Sequence, residues 1–90
     1  NKEDESRLIS ELSQISKKTC DKLADLGHKI RKKEGLMLKE TVSSRLLINA
    51  ATLIKQGLNT RLACHIAIAE VLSDDRDVVY ALKDYINLLI

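Results

Sequence analysis

Apolar residues recur every three or four positions along most of the chain, which is the spacing of amphipathic α-helices. The pattern predicts about five helices joined by short turns, with no convincing strand. The residues expected to face the core are Leu8, Ile9 and Leu12 in the first helix; Cys20, Leu23, Ala24, Gly27 and Ile30 in the second, flanked by Leu26; Leu46, Leu47, Ala50, Ala51 and Ile54 in the third, widened by Ile48 and Leu53; Leu62, Ala63, Ile66, Ala67 and Val71 in the fourth; and Val78, Leu82, Tyr85, Ile86 and Leu89 in the fifth. We therefore expect an all-α fold class, a small helical bundle without a substantial sheet.

Short polar breaks separate these helices and supply residues suited to helix ends. The expected N-caps are Ser16, Ser43, Asn59 and Asp74, and the expected terminating glycines are Gly35 and Gly57. Turns this short make consecutive helices neighbours in space.

Two local features leave alternatives open. Gly27 lies on the apolar face of the second helix, where it costs about 1 kcal/mol relative to Ala. It either lets another helix come close or marks a kink. The apolar connector at residues 36–38 is expected to pack on the core, either as a short extended piece or as coil.

The composition fits one small domain with an aliphatic core. The chain has 90 residues, and its only aromatic residues are Tyr80 and Tyr85, so it lacks a platform for stacking single-stranded bases. A net charge of +2 gives no strong field toward a charged partner. Cys20 and Cys64 are isolated, and we expect buried free thiols in a reducing cytoplasm. The longest apolar run is far shorter than a membrane span.

Motifs that would indicate catalysis or metal binding are missing from the sequence. The three glycines are scattered and form no phosphate-binding loop. Cys64 and His65 are adjacent, so on a helix they point about 100° apart and make neither a nucleophile–base pair nor a two-ligand metal site. We expect no catalysis by this chain alone and no metal site.

The basic run at residues 29–33 has two interpretations. It is either a solvated helix end whose cations favour the dipole or a patch that contacts nucleic-acid phosphates. The second interpretation lacks interleaved aromatic residues and a neighbouring recognition helix.

The start of the third helix carries a candidate anion site. Residues 41–47 read TVSSRLL, which places Arg45 in a first turn that already has a partial positive charge. Ser43, Ser44 and Arg45 together offer backbone N–H groups, hydroxyls and a guanidinium, a donor set that suits phosphate. Arg45 is either an ordinary surface residue or a contact to a phosphate held elsewhere.

The second half of the chain resembles the C-terminal lid of MoxR-type AAA+ ATPases, most of all the CbbQ/NirQ/NorQ branch, and gas-vesicle ATPases are similar. The matching stretches are TVSSRLLINAATLIKQGL at 41–58, RLACH at 61–65, LSDD at 72–75, KLA at 22–24 and IR at 30–31. The resemblance covers roughly residues 16–90, and its most specific part is the Ser-x-Arg motif before a small-residue helix and a glycine turn.

The resemblance implies a domain organisation and a role for Arg45. Residues 1–90 would be a single helical domain, the lid that follows a P-loop ATPase core lying upstream of Asn1. Arg45 would be the sensor-2 arginine that reaches the γ-phosphate of ATP, with Ser43 and Ser44 beside it in the nucleotide site. Family members often have Pro or Thr where this chain has Ser44, a departure that leaves the role of Arg45 intact.

The resemblance also implies a chaperone-like remodelling ATPase, cytoplasmic, that uses ATP and Mg in the intact protein. Such proteins form homo-hexameric rings, work with a von Willebrand factor A-domain partner and activate metalloenzymes, including Rubisco and nitrogen-oxide reductases. The chain alone would hold no cofactor. The alternatives are a helical module that binds nucleic acid through residues 29–33 and a protein-interaction bundle with no nucleotide role.

Overall fold

The computed structural model describes residues 1–33 and 41–90. Across those residues the chain forms five helices joined by turns and contains no β-strand, so the predicted all-α fold is confirmed. The helices are α1 Lys2–Ser13, α2 Lys17–Lys32, α3 Ser44–Lys55, α4 at 60–72 and α5 Arg76–Leu89. None of these described helices has the length and apolar character needed to cross a membrane. The predictions for Gly35 and for 36–38 lie outside the described residues.

Polar caps begin the helices mostly where the sequence predicts them. The side chains of Ser16, Ser43 and Asn59 each accept a backbone N–H from the first turn that follows. The predicted cap Asp74 is wrong, because Asp75 takes that position and accepts the N–H of Asp77 at 2.9 Å. Ser73 Oγ accepts the Asp75 N–H at 3.1 Å. This turn includes Asp74, so α5 begins one residue later than predicted.

The core is built around α3, which packs against α1, α2 and α4. Leu47, Ala50 and Ala51 on its inner face are fully buried. Gly57 follows the helix with a φ of 114°, a left-handed conformation in which glycine ends a helix without strain.

Gly27 marks a close approach between helices and not a kink. α2 runs without a break from Lys17 to Lys32. A Cβ atom added at Gly27 would lie 2.8 Å from Cδ1 of the buried Leu47 on α3. The missing side chain therefore lets α2 and α3 pack closely at this point.

The predicted inner face of α1 is wrong in two of its three residues. Ile9 is buried, but Leu8 and Leu12 are 40% and 62% exposed. The buried positions beside Ile9 are Ser6 and Ser13, whose small side chains allow α1 to lie close to its neighbours. The Ser13 hydroxyl donates to the Ile9 carbonyl at 2.5 Å, so its burial leaves no unpaired donor.

The predicted face of α4 is also partly wrong. Ala63 and Ala67 are buried as expected, whereas Leu62, Ile66 and Val71 are 45%, 46% and 60% exposed. The buried side of α4 instead carries Cys64, Ile68, Ala69 and Leu72 beside these two alanines.

A π-helical turn at His65–Ala69 interrupts the α-helical winding of α4. The Glu70 N–H donates to the His65 carbonyl, five residues earlier. This wider turn places Ala67, Ile68 and Ala69 consecutively on the buried side. No glycine or proline in the sequence marks the turn.

α5 is fixed to α4 by an apolar face and by a charged cluster. The predicted core residues Leu82 and Ile86 are buried, and Val79 joins them. Glu70 of α4 contacts Arg76 Nη1 at 2.7 Å and Lys83 Nζ at 2.6 Å. Hydrogen bonds from Arg76 and Lys83 lower the pKa of Glu70 to about 2.

The close contact at Gly27 predicts that Gly27→Val lowers the free energy of unfolding by about 1–3 kcal/mol, because the new side chain overlaps Leu47. Urea unfolding of the 90-residue chain measures this change. Lys22→Val is the matched control, since Lys22 is exposed on the same helix and reports only the helix propensity of Val. Equal losses for the two variants would contradict the close packing.

Candidate functional site

Ser43 is the N-cap of α3. Its backbone is extended, with φ −90° and ψ 161°, and its Oγ accepts the Leu46 N–H at 3.4 Å. Its carbonyl accepts the N–H groups of Leu46 at 3.1 Å and Leu47 at 3.4 Å. The turn contains no acidic residue, so no carboxylate of its own offsets the positive end of the helix dipole.

Ser44, the first residue of α3, is tied to α1. Its Oγ donates to Glu5 Oε2 at 2.6 Å, and its side chain is half-buried. A hydroxyl that donates to a carboxylate at this distance makes a charge-assisted hydrogen bond. Ser44 therefore has a structural contact within the domain, which the sequence did not indicate.

Glu5 also binds an arginine of α2 through both of its carboxylate oxygens. Arg31 Nη1 donates to Oε1 at 2.9 Å, and Nη2 donates to Oε2 at 2.7 Å. Arg31 Nε donates to the Val42 carbonyl at 2.7 Å. Glu5, Arg31, the Ser44 hydroxyl and the Val42 carbonyl, which we call the Glu5 clasp, thus join α1, α2 and the start of α3.

Charge pairing inside the clasp outweighs the cost of burying it. The Glu5 side chain is only 10% exposed, and burial alone would raise its pKa. The hydrogen bonds from Arg31 and Ser44, with the positive charge of Arg31, hold the pKa of Glu5 below its ordinary value of 4.5. The hydrogen bond to Glu5 raises the pKa of Arg31 in turn. Both groups are therefore charged at neutral pH.

Arg45, the second residue of α3, projects into solvent. It is exposed, and within residues 1–33 and 41–90 its guanidinium forms no ion pair or hydrogen bond. The backbone around it is held in place, because Ser44 is bonded to Glu5 and the side chains of Leu46 and Leu47 are buried. The backbone that carries the exposed Arg45 side chain is therefore fixed.

A first-turn cation is not unique to α3, since Arg61 and Arg76 lie in the first turns of α4 and α5. Arg76 is held by Glu70 and lies over the Tyr80 ring at 5.3 Å from its centroid. Arg61 Nη2 reaches the Asn87 carbonyl at 3.5 Å, the edge of hydrogen-bonding distance. Charge position alone therefore does not single out Arg45, and the sequence motif around it carries the assignment.

The structure places the three predicted site residues on one helical turn but gives them different contacts. Ser43 is the N-cap, Ser44 donates to Glu5, and Arg45 faces solvent. Sequence reasoning missed the clasp residues Glu5 and Arg31. They lie 26 residues apart in the chain. In the sequence, Glu5 is explained by its place in the first turn of α1, and Arg31 by its place in the basic last turn of α2.

The basic run at 29–33 is largely engaged within the domain. Lys29 Nζ pairs with Asp25 at 2.9 Å, and Arg31 belongs to the clasp. Lys33 Nζ lies 5.4 Å from the centroid of the Tyr85 ring. Charges committed to internal partners contribute less to binding nucleic-acid phosphates, so the structure does not favour that interpretation of the run.

Neither cysteine is exposed enough to act as a nucleophile. Cys20 and Cys64 are buried and unbridged, as the sequence predicts. Burial raises the pKa of Cys64 to about 12, so the thiol stays protonated and unreactive at neutral pH. His65 Nε2 lies 2.8 Å from Asn87 Oδ1, a link between α4 and α5. No group of three possible metal ligands occurs in the described part of the chain.

The five packed helices define a small all-α domain. The sequence model of the CbbQ/NirQ/NorQ C-terminal family matches residues 5–89. The chain belongs to this family, the C-terminal domain of the CbbQ/NirQ/NorQ branch of MoxR-type AAA+ proteins.

Three curated relatives agree with this assignment. The chain is 42% identical over 84 residues to the denitrification regulatory protein NirQ of Pseudomonas aeruginosa, covering 93% of this chain and 32% of that protein. Identity to protein CbbQ of Hydrogenophilus thermoluteolus is 35% over 79 residues, covering 88% and 30%. Identity to protein NorQ of Paracoccus denitrificans is 42% over 62 residues, covering 69% and 23%. The matched part of the chain covers between 23% and 32% of the length of these three relatives, less than a third of each.

The charged clasp predicts a pH-dependent contribution to stability. Glu5→Gln should lower the free energy of unfolding by about 1.5–3 kcal/mol near neutral pH, the range for hydrogen bonds to charged groups. Because the folded-state pKa of Glu5 lies below 4.5, the stabilisation is complete above that pH and is lost as pH falls through the folded-state pKa. The gap between wild type and variant should therefore narrow in acid.

Urea unfolding of the 90-residue chain at about pH 7 and about pH 3 measures this gap. Glu11→Gln, a change at an exposed carboxylate of the same helix, is the control and should alter stability by less than about 0.5 kcal/mol. A gap that stays constant between the two pH values would show that the carboxylate charge of Glu5 does not stabilise the fold.

Proposed function

We propose that this chain is the C-terminal lid of a longer AAA+ ATPase, and that Arg45 is its sensor-2 residue. In this proposal Arg45 contacts the γ-phosphate of ATP bound to a nucleotide-binding domain of the same protein. The observation that carries the proposal is an exposed arginine, held at a fixed position in the first turn of α3, inside the family match at 5–89. A guanidinium fork suits the paired oxygens of a phosphate.

The surroundings of Arg45 fit an anion. The N-terminus of α3 adds its partial positive charge, and Ser43 Oγ keeps its own O–H available to donate while it accepts from Leu46. The Glu5 carboxylate is already bound by Arg31 and Ser44, so it does not compete for Arg45. Because Ser44 donates its hydroxyl to Glu5, Arg45 and Ser43 are the two of the three candidate residues whose side-chain donors have no partner among residues 1–33 and 41–90.

This contact would couple the nucleotide state to the position of the lid. A charge-assisted contact is worth about 1.5–3 kcal/mol, enough to bias a hinge between two orientations. Arg45 would also stabilise the negative charge that develops on the phosphoryl oxygens during transfer. ATP supplies the phosphoryl group that is transferred, and the groups that hold it with Mg would belong to the nucleotide-binding domain.

The wider role that we propose is remodelling or activation of a metalloenzyme by a hexameric ring, with a von Willebrand factor A-domain protein as partner. Membership in the family supports a role of this kind, and one relative is named for the regulation of denitrification. In this scheme the chain is not an enzyme alone but part of an ATPase.

In the longer protein, Arg45→Ala should lower ATP turnover by about tenfold to a hundredfold, the rate equivalent of one charge-assisted contact. Folding should change little, because the side chain is exposed. Steady-state ATP hydrolysis and thermal unfolding measure the two effects. Arg45→Lys keeps a charge but loses the bidentate geometry, and we expect an intermediate rate.

Arg61→Ala is the matched control. Arg61 is the second residue after the Asn59 cap of α4, as Arg45 is after the Ser43 cap of α3, so both variants remove a cation from the same helical position. Arg61→Ala should leave turnover near the wild-type value. Wild-type turnover by Arg45→Ala would instead favour a protein-interaction bundle with no nucleotide role.

A further inference from the structure

We propose that the Glu5 clasp positions Arg45 for its contact with nucleotide. Glu5 and Arg31 are then positioning residues for the γ-phosphate, although they touch no nucleotide themselves. This inference rests on the proposed function of Arg45 and adds to it the residues that orient the arginine.

The clasp holds the chain on both sides of the N-cap. Arg31 Nε binds the Val42 carbonyl at 2.7 Å, one residue before Ser43. Glu5 binds the Ser44 hydroxyl at 2.6 Å, one residue after it. Arg45 follows Ser44 directly, so the two contacts fix the position of the Arg45 backbone relative to α1 and α2.

Helix formation alone does not require these contacts. Ser43 caps α3 with its own side chain, and the Leu46 and Leu47 side chains anchor the first turn in the core. The clasp instead reaches across the chain, with Ser44 39 residues from Glu5. It adds a fixed orientation of the α3 terminus against two other helices.

Burial and geometry make the clasp stiffer than the surface ion pairs of the domain. The side chains of Glu5 and Arg31 are 10% and 30% exposed, whereas those of Lys17 and Asp21 in a surface pair are 84% and 54% exposed. The two parallel bonds between Arg31 and Glu5 also fix the orientation of both groups, which a lysine cannot do. A long arginine side chain such as Arg45 samples fewer wrong positions when its backbone is held this way.

The experiment is a double-mutant cycle between Ser44→Ala and Arg45→Ala in the longer protein. Dissociation constants are measured for a non-hydrolysable ATP analogue and for ADP, whose ratio reports the γ-phosphate contact. Ser44→Ala removes one bond of the clasp without leaving a buried charge unpaired. It should lower the preference for the analogue by about threefold to tenfold and should add no further loss when Arg45 is already Ala.

Two further variants separate positioning from stability. Ser6→Ala removes a similar bond, from the Ser6 hydroxyl to Asp21 at 2.5 Å, which joins α1 to α2 away from α3. Ser6→Ala should lower the melting temperature but leave unchanged the ratio of the dissociation constants for ADP and the ATP analogue. Arg31→Lys keeps the charge but not the paired geometry, and it should lower the ratio as Ser44→Ala does.

The outcomes distinguish the two proposals. If Arg45→Ala leaves the ratio unchanged, the proposed function of Arg45 fails. If Arg45→Ala lowers the ratio but Ser44→Ala and Arg31→Lys do not, the function stands and the positioning inference is overturned. An equal loss from Ser44→Ala with Arg45 present or absent also overturns it, because the serine would then act independently of the arginine.

Discussion

One carboxylate determines how the first three helices meet. Glu5 accepts two bonds from Arg31 and one from Ser44, and it is nearly buried while doing so. α1 buries only one large apolar side chain, Ile9, so hydrophobic burial alone specifies its position weakly. The directional bonds of Glu5, with that of Ser6 to Asp21, supply the missing specificity. The start of α3, and with it Arg45, takes its orientation from the Glu5 clasp and not from the Ser6 bond, which lies away from α3.

Small residues at the helix contacts explain much of the remaining architecture. Gly27 of α2 lies against Leu47, and fully buried alanines line the inner faces of α3 and α4. Helices that meet through such residues come close together, so each bulky side chain finds less room between them. Leu8 and Leu12 lie on the outer side of α1. Leu62 and Ile66 lie on the outer side of α4, whose large inward-facing side chains are Ile68 and Leu72.

The sequence predicts what is local and misses what depends on distant partners. Five helices and three of their caps were predictable because periodicity and capping act over a few residues. In α1 the sequence pattern favours Leu8 and Leu12, whereas the small residues Ser6 and Ser13 are buried. In α4 the π-helical turn, which no local signal marks, brings Ile68 and Leu72 to the buried side in place of Ile66 and Val71. The clasp had no signal, since its bonds span 26 and 39 residues. Only the sequence motif around Arg45 indicates it as a candidate site residue, because Arg61 and Arg76 occupy similar electrostatic positions.

The π-helical turn of α4 constrains how the domain can change in length during evolution. Between the His65 carbonyl and the Glu70 N–H it holds one residue more than an α-helical turn does. Deleting a residue from 65–69 would restore regular winding without breaking the helix. Glu70 would stay close to Arg76 and Lys83, because its N–H already donates to the His65 carbonyl, as the residue four positions on does in an α-helix. The deletion would instead remove one residue from a turn that buries Ala67, Ile68 and Ala69 in succession. A one-residue deletion at this turn is therefore expected to keep the charged cluster between α4 and α5 and to cost the packing of a buried side chain.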